Sequence, residues 1–480
     1  MAVLVLGCGH CGIPASIASP PIEPDTRVAW HPRLCQEVPD DLFKQPESPE
    51  AVLLLAGRDP EGASQLAEAA MQAGVHPLQL RVLVAGRAFS DDSALWVHIR
   101  AAAARLRAVG PMEGAPVREA NRFRGHVPRR FFLNPSRRFR EPLPRSDPAR
   151  CRRGCNLCAR ACPTGAISGE FAPRVDPWKC TSCAACLPAC PTGAIDHPAL
   201  SCPPIQVEAR ELADAPALSL LLGCSGALDS LVARGLSLDP EQWRVLEVPS
   251  MACLGPVEVL ALLEDGFARL VALTEGECCP PGGRGIQVAQ ACLEALGYRG
   301  RLIGWDLQVV PEAPMLARSP SLEPLPAGSG RLPERAAVLS PGPLKFPLPG
   351  RGAGLVCIAE GRCTACRLCA ERCPTGALQA GDPASEAVRL SFDHAACDGC
   401  GLCAEVCPEK ALTVSYGVDT AAVGRRRALK EDRWVLCSAC GSRVAPAAMV
   451  AQVAARLRSP VTLDLCPNCK PRRAFDLLRP

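Results

Sequence analysis

Short apolar runs alternate with helical stretches along the first 117 residues of the chain. The apolar runs span residues 2–6, 51–56 and 80–85, and apolar residues recur at helical spacing over residues 63–73 and 94–108. Runs of this length are typical of buried strands, and strands that alternate with helices form α/β domains. The pattern therefore predicts a small α/β domain over residues 1–117.

The same alternation returns in the middle of the chain. Strand-like runs cover residues 218–222, 244–248 and 270–273, and a helical stretch covers residues 286–296. We predict a second α/β domain over residues 206–312.

Two segments lack periodicity. Residues 118–150 carry ten arginines and several prolines, which is typical of an extended, solvated connector, with contact to an acidic partner surface as the alternative. We predict a basic linker over residues 118–147 and a Pro-rich linker over residues 313–355.

One short motif recurs four times, in two pairs. It reads CPTGAI at 162–167 and 190–195, CPTGAL at 373–378 and CPEKAL at 407–412. Two pairs of one motif imply two copies of one module. We predict these modules over residues 148–205 and 356–416.

The cysteine content indicates how some of the domains are stabilised, which periodicity does not show. The 480 residues include 30 cysteines, against six Trp, two Tyr and eleven Phe. A chain of this length forms several domains, and so few large rings indicate that some of them are held together by bonds to metal.

Several classes of protein are excluded. Residues 1–6 are apolar with no basic residue before them and a Gly/Cys-rich turn after them, which fits a strand rather than an export signal. The net charge is only +4, with both signs mixed, so no footprint for nucleic acid is present. No apolar stretch approaches the ~20 residues of a membrane span. We expect a cytoplasmic protein that does not insert directly into a membrane.

The chemistry lies in a repeated cysteine spacing. In proteins that bind two 4Fe-4S cubanes as a pair, three cysteines are separated from one another by two residues each. A fourth cysteine follows after three more residues and precedes Pro. The first three ligate one cluster, and the fourth ligates the neighbouring cluster. Three copies fit this spacing: Cys180, Cys183, Cys186 and Cys190; Cys363, Cys366, Cys369 and Cys373; Cys397, Cys400, Cys403 and Cys407. Zinc knuckles and disulfides, the alternatives, do not require the Cys-Pro step.

The crossing rule assigns sixteen ligands to four clusters. The predicted sets are Cys151, Cys155, Cys158 and Cys190; Cys180, Cys183, Cys186 and Cys162; Cys363, Cys366, Cys369 and Cys407; and Cys397, Cys400, Cys403 and Cys373. Three residues, not two, separate Cys151 from Cys155. We expect Gly154 to absorb the extra residue in a bulged loop.

Both modules resemble bacterial two-cluster ferredoxins, over residues 148–198 and 358–415. The resemblance implies a compact fold of short strands and helices that transfers one electron at a time and has no substrate chemistry of its own.

A different cysteine pattern ends the chain. Cys437, Cys440, Cys466 and Cys469 form two Cys-x2-Cys pairs, each after a strand-like run, with a helical stretch over residues 446–457 between them. This matches a four-thiolate zinc ribbon over residues 417–480. We favour zinc, and a fifth cluster or free thiols are the alternatives.

The N-terminal domain carries LGCGHCG, LCQE at residues 34–37 and VLLLAGRDPEG. It resembles the N-terminal domain of the heterodisulfide reductase A subunit, without the flavin domain that follows in that family. We expect Cys8, Cys11 and Cys35 to be packed thiols rather than cluster ligands. Gly7, Gly9 and Gly12 match a dinucleotide fingerprint in spacing, but we favour a structural turn because Pro20-Pro21 interrupts the helix that would follow.

The middle domain carries GCSGALD, EVPSMACLGPVEVLALLEDG and EGECCPPGG. It resembles the delta iron-sulfur subunit of methyl-viologen-reducing hydrogenase, which implies a 2Fe-2S cluster on Cys224, Cys253, Cys278 and Cys279. A domain that only docks a partner is the alternative. We expect the remaining Cys202, Cys292 and Cys357 to be buried as small hydrophobic residues.

These patterns predict a multidomain α/β plus α+β chain with two dicluster ferredoxin-like modules, two small α/β domains and a zinc-ribbon-like tail. We interpret it as a non-catalytic electron-transfer subunit of a heterodisulfide-reductase-like or hydrogenase-like complex. The expected partners are a flavoprotein or hydrogenase or dehydrogenase subunits. The rivals are an iron-sulfur redox sensor or scaffold that regulates partner binding, and a self-contained reductase.

Overall fold

The protein forms two compact units in the computed structural model, one of residues 1–151 and 156–328, the other of residues 152–155 and 329–480. The structure describes residues 3–8, 26–31, 34, 51–56, 70–71, 75, 80–84, 92–109, 117–121, 138–197, 202–214, 218–234, 236, 238–239, 241–273, 284–305, 330–382, 385, 387–457 and 463–471.

A parallel four-stranded sheet begins the first unit. Its strands are β1 (Val3–Cys8), β2 (Thr26–His31), β3 (Ala51–Ala56) and β4 (Leu80–Val84), in the order β2-β1-β3-β4. Helix α1 (Asp92–Val109) packs on it and buries its apolar stripe against β1 and β3. The three predicted strands are confirmed, as is the helix predicted over residues 94–108. The helix predicted over residues 63–73 lies almost wholly outside the described residues.

The segment predicted as a basic linker contains paired strands. Strand β5 (Val117–Asn121) pairs antiparallel with β6 (Arg138–Pro142). Arg118 lies opposite Glu141, and Glu119 lies opposite Arg140. Both strands contain charged residues in place of an apolar run, so a search for apolar periodicity does not detect them.

The first ferredoxin module is small and loop-rich. Strand β7 (Arg145–Ser146) pairs with β10 (Ile195–Asp196), and β8 (Ile167–Ser168) pairs with β9 (Arg174–Val175). Helices α2 (Leu157–Ala161) and α3 (Cys186–Ala189) are short, and each places one cysteine in the core of the module.

A second parallel sheet follows, with the same strand order as the first. Its strands are β11 (Ser219–Gly223), β12 (Trp243–Glu247), β13 (Arg269–Leu273) and β14 (Leu302–Trp305), in the order β12-β11-β13-β14. Its helices are α4 (Cys202–Leu212), α5 (Ser225–Ala233), α6 (Pro256–Glu264) and α7 (Arg284–Ala295). The predicted second α/β pattern is therefore present.

Helices α1 and α4 join the two sheets into one unit. Glu208 of α4 is buried and accepts hydrogen bonds from Arg81 at 2.7 Å and from Arg105 at 2.6 Å. The backbone N–H of Val245 in β12 donates to Nε2 of His98 in α1 at 3.2 Å. Because β12 is an edge strand, this contact satisfies a donor that the sheet leaves open.

The second unit contains the second ferredoxin module. Helix α8 (Leu332–Leu339) leads to β15 (Lys345–Pro347) and β16 (Gly354–Ile358), which pair with β19 (Leu412–Asp419). The cluster-motif segments hold α9 (Leu368–Glu371), β17 (Leu378–Ala380), β18 (Ala387–Asp393) and α10 (Leu402–Val406). Helix α8 and strand β15 lie within the segment predicted as a Pro-rich linker.

The C-terminal tail continues the sheet of this module. Strand β20 (Arg426–Leu436) pairs with β18 and with β21 (Arg443–Pro446), and helix α11 (Ala447–Arg456) follows. Leu429 of β20 is buried in the module core, and Cys437 comes directly after the strand. The strand-like run before Cys466, at residues 461–465, is not a strand where it is described, from Leu463. In the described part of the chain, no helix has both the length and the apolar character that crossing a membrane requires.

Candidate metal centres

In the first module, four thiols surround one cavity. Cys180, Cys183 and Cys186 line it together with Cys162, and Pro144, Ile167 and Val175 supply apolar walls. Ser182 and Ala184, between the three consecutive cysteines, have left-handed φ values of 49° and 57°, so the loop turns tightly around the cavity. This is the set predicted for one cubane, so the residues present fit that group. The ligand assignment itself stays a prediction, and the cavity supports it.

Backbone donors point at the Cys-Pro sulfurs. The N–H groups of Ala166, Ala194 and Ala411 donate to the sulfurs of Cys162 at 3.2 Å, Cys190 at 3.1 Å and Cys407 at 3.3 Å. At Cys373 the donor is Leu378, at 3.5 Å. Such bonds stabilise negative charge on sulfur and tune the potential of a cluster bound there.

The four Cys-Pro turns differ in one polar group. Hydroxyls of Thr164, Thr192 and Thr375 lie 3.6 Å from the sulfurs of their cysteines. The fourth copy carries Glu409 where the others carry Thr. Its carboxylate pairs with Arg456 of α11, with one N···O distance of 3.3 Å. Sequence reasoning passed over this difference, although the departure of CPEKAL from CPTGAL signals it.

The second module buries four of its eight motif cysteines in one apolar core. Cys369, Cys397, Cys403 and Cys407 pack there with Val356, Leu378, Phe392 and Leu412. Burial, and then the charges of neighbouring thiols, raises the pKa of Cys369 to about 12. A metal centre compensates such a site, because it supplies the positive charge that a buried thiolate lacks.

The electrostatic neighbours of the cysteines in this module include pairs that the crossing rule predicts, together with two pairs from different predicted sets, Cys369 with Cys403 and Cys403 with Cys407. Cys363 interacts with Cys366 and with the distant Cys407. In the same way, Cys397 and Cys403 both interact with Cys373. Cys363, Cys397 and Cys403 thus each have as a neighbour the fourth cysteine that the crossing rule assigns to them, which supports the prediction.

Glycine makes room for one of these sulfurs. A Cβ on Gly354 would lie 2.9 Å from Sγ of Cys397 and 2.8 Å from Cα of Gly399. Carbon and sulfur do not approach so closely without a bond, so only glycine lets β16 pass behind this loop.

Gly154 has the conformation that the longer Cys151–Cys155 spacing predicts. Its φ is +74°, in the left-handed region that glycine adopts readily. Cys151 is half-buried, and its sulfur accepts a hydrogen bond from the N–H of Ala172 at 3.4 Å. Both observations support Cys151 as a ligand.

The tail brings its four cysteines together. The sulfurs of Cys437, Cys440, Cys466 and Cys469 all lie within 4.8 Å of one another. Cys440 and Cys466 are 3.7 Å apart, and a tetrahedral site with zinc–sulfur bonds of ~2.3 Å has sulfur–sulfur edges of about 3.8 Å. A hydrogen bond from Ser442, followed by those from backbone N–H groups, lowers the pKa of Cys466 to about 6. The group fits a closed four-thiolate metal site.

Two of the four cysteines predicted to bind 2Fe-2S are described. Cys224 follows β11, and Cys253 lies in a 3-10 turn of Met251–Cys253 after β12; both are buried. Because strands of a parallel sheet end at one edge, both lie at its carboxyl end, where ligands bind in such sheets. Cys278 and Cys279 lie outside the described residues.

The other predicted cysteines have mixed outcomes. Cys292 is buried in α7, as predicted, but Cys357 is exposed, so that prediction is wrong. Alternation along β16 buries Val356 and turns Cys357 outward. Cys8 ends β1. Cys11, Cys35, Gly9 and Gly12 and the side chain of Cys202 lie outside the described residues.

Two family models match the chain. Models of the 4Fe-4S dicluster domain match residues 150–194 and residues 362–412. No curated protein matches the chain. The chain thus carries two 4Fe-4S dicluster ferredoxin domains within a mixed α/β architecture, together with a four-cysteine group near its C-terminus, and these domains support a role in iron-sulfur electron transfer.

Proposed function

We propose that this protein carries electrons through four 4Fe-4S clusters, as a subunit of a heterodisulfide-reductase-like or hydrogenase-like oxidoreductase complex. The observation that carries the proposal is the cavity in which Cys162, from one motif, meets Cys180, Cys183 and Cys186 from the next. That crossed arrangement is the one that pairs two cubanes in a ferredoxin.

A bound 4Fe-4S cluster supplies one-electron redox chemistry. The residues of the chain hold and shield it. Left-handed turns such as those at Ser182 and Ala184 aim consecutive thiols inward, and apolar residues such as Phe392 and Leu412 exclude water. Backbone N–H groups, such as that of Ala166, already point at the sulfur, so they stabilise its negative charge without rearranging.

The second α/β domain adds a further centre, a 2Fe-2S cluster on Cys224, Cys253, Cys278 and Cys279. Helix α3, which carries Cys186, packs against the turn that carries Cys253. A Cβ on Gly255 would lie 2.9 Å from Cβ of Pro188, which shows how closely the two segments approach. This contact supports a route for electrons between the 2Fe-2S site and the module-1 cubane on Cys186.

The remaining parts have structural roles in this proposal. The tail cysteines hold zinc, and the α/β domains dock a flavoprotein or hydrogenase or dehydrogenase subunits. The resemblances of residues 1–117 and 206–312 to subunits of such complexes support these partners.

Purification without oxygen tests the proposal. We expect a brown protein with about sixteen iron atoms in cubanes, four for each of four clusters, and cubane EPR signals on reduction. Cys183→Ser should remove the signal of one cluster, whereas Cys292→Ser, which alters a buried cysteine outside every motif, should leave all four. A colourless protein that binds zinc alone would end the proposal.

A further inference from the structure

Two positions around one candidate cluster differ from the equivalent positions of the other motifs. The residue after the second cysteine is Arg367 in the motif that begins at Cys363, and in the other three it is Asn156, Ala184 or Gly401. The second residue after the fourth cysteine is Glu409 in one motif, and in the other three it is Thr164, Thr192 or Thr375. Arg367 and Glu409 lie in the two segments that supply the predicted ligands of one cluster, Cys363, Cys366, Cys369 and Cys407.

The side chain of Arg367 contacts the C-terminal tail. Its guanidinium carbon lies 5.5 Å from the ring centroid of Trp434, near the end of β20, which is within the ~6 Å of a cation–π interaction. The backbone of Arg367 is left-handed, with φ of 68°, as are those of Ala184 at 57° and Gly401 at 79°. Because the loop makes the same turn with alanine or glycine, the turn does not require the arginine side chain.

Helix α11 of the tail contacts the segments around the same cluster at two more points. The guanidinium group of Arg456 pairs with Glu409, with one N···O distance of 3.3 Å, and the Glu409 side chain is only 15% exposed. The side-chain amide of Gln452 donates to the carbonyl groups of Gly361 and Arg362, at 3.3 and 3.2 Å. The tail therefore touches the chain just before the first predicted ligand, between the second and third, and just after the fourth.

We propose that residues 434–456 form a cap over the cluster on Cys363, Cys366, Cys369 and Cys407, and that this cap shields the cluster from small one-electron oxidants in solvent. The inference rests on the proposed function, because the cap shields a cluster only where one is bound. The oxidant gains one electron, the 4Fe-4S cluster loses it, and the oxidised cluster then releases iron. The three contacts hold the cap closed, so the rate of this loss follows how often the cap opens.

Oxidation of the full-length protein by ferricyanide, with EDTA present to bind released iron, tests the cap. The double variant Arg367→Gly and Glu409→Thr introduces residues that other motifs carry at these positions, so the loops keep sequences that fold in this chain. It removes two of the three contacts. EPR of samples withdrawn and reduced at intervals follows each cluster, and Cys363→Ser identifies the signal of the capped one.

We expect the signal of the capped cluster to disappear about tenfold faster in the double variant than in the wild-type protein, from the combined loss of a cation–π contact and an ion pair. The other three signals should disappear at their wild-type rates. The control is Arg389→Gln, which removes an exposed ion pair with Glu431 in the same module and should change no rate.

The outcomes separate the two proposals. An unchanged rate for the capped cluster overturns the cap and leaves the carrier function intact. Equal acceleration for all four clusters also overturns it, because the two side chains would then stabilise the protein as a whole. If the double variant is purified without this cluster, Gln452→Ala decides instead, since it leaves the loops unchanged: faster loss of this cluster alone supports the cap, and an unchanged rate overturns it. A wild-type protein without iron would refute the carrier function itself.

Discussion

At the scale of single residues, the sites depend on close approaches that only particular side chains allow. Gly354 is the sharpest case, since Sγ of Cys397 lies where a methyl group would stand. The sequence motif shows the cysteine but not the glycine, because the two are 43 residues apart and meet only when β16 pairs with β19. Contacts of this kind cannot be predicted from spacing along the chain.

Gly354→Ala should displace the loop that carries Cys397. The added carbon overlaps sulfur at 2.9 Å and backbone at 2.8 Å, so we expect loss of the cluster on Cys397, Cys400, Cys403 and Cys373, about four of sixteen irons. Iron analysis and EPR measure this. Gly342→Ala is the control, because nothing lies within 4 Å of the new carbon. Full iron content in Gly354→Ala would refute the prediction.

Glu409 and Arg456 should shift one reduction potential in opposite directions. Glu409 follows Cys407-Pro408 and pairs with Arg456. Removing the carboxylate in Glu409→Gln favours the reduced, more negative cluster and should raise its potential by about 40 mV, which corresponds to roughly 1 kcal/mol. Arg456→Gln removes the opposing charge and should lower it. EPR-monitored redox titration resolves both, and shifts of the same sign would contradict the electrostatic account.

At the scale of elements, apolar periodicity predicted the two sheets well and the connectors badly. Strand β3 has the predicted bounds, and β11 differs by one residue, because buried strands of parallel sheets are continuous apolar runs. Strands β5 and β6 are rich in Arg and Glu and have no apolar run. They can be recognised as strands only from the pairing of residues 117–121 with residues 138–142 in the structure. Cysteine spacing predicted that Cys162 lies with Cys180, Cys183 and Cys186 and that the four tail cysteines lie together, but it did not predict the hydrogen bonds around them.

The buried cluster of Arg81, Arg105 and Glu208 should stabilise the first unit. Flanking guanidinium groups hold the pKa of Glu208 below its ordinary value, against the opposing effect of burial. Glu208→Gln leaves the buried Arg105 and the half-buried Arg81 without their anion and should cost about 3–5 kcal/mol, measured by chemical denaturation. Arg210→Gln, on the same helix, removes an ion pair with Asp265 in which the Arg210 side chain is 62% exposed, and should cost less than about 1 kcal/mol.

The stability that the Glu208 carboxylate contributes to the fold depends on pH. Because the folded state lowers the pKa of Glu208, its contribution is fully present above the unfolded value of about 4.3 and is lost as pH falls through the folded pKa. The difference in stability between wild type and Glu208→Gln should therefore shrink as the pH falls below about 4.3, the unfolded value. A difference that is constant from pH 7 to pH 3 would show that the charge is not responsible.

At the scale of the whole molecule, a continuous sheet connects the four-cysteine group of the tail with the second module. Strand β20 begins beside Asp393, places Leu429 in the module core and ends at Cys437. Helix α11 then returns to the module, where Gln452 donates to the carbonyl groups of Gly361 and Arg362 at 3.3 and 3.2 Å. Arg362 precedes Cys363, so the tail covers one of the candidate cluster loops.

If the tail cysteines hold zinc, as we propose, removing it should loosen α11 more than β20. In Cys469→Ser the four-thiolate site loses a ligand, and the segment between the two cysteine pairs loses its anchor. The buried strand around Leu429 keeps its pairing with β18. We expect faster amide hydrogen exchange over residues 447–456, with protection of β20 near Leu429 unchanged. Ser438→Ala, an exposed change inside the first pair, is the control. Equal loss of protection in both elements would mean that the tail and the module unfold as one cooperative unit, so that the metal stabilises the module core as well as the tail.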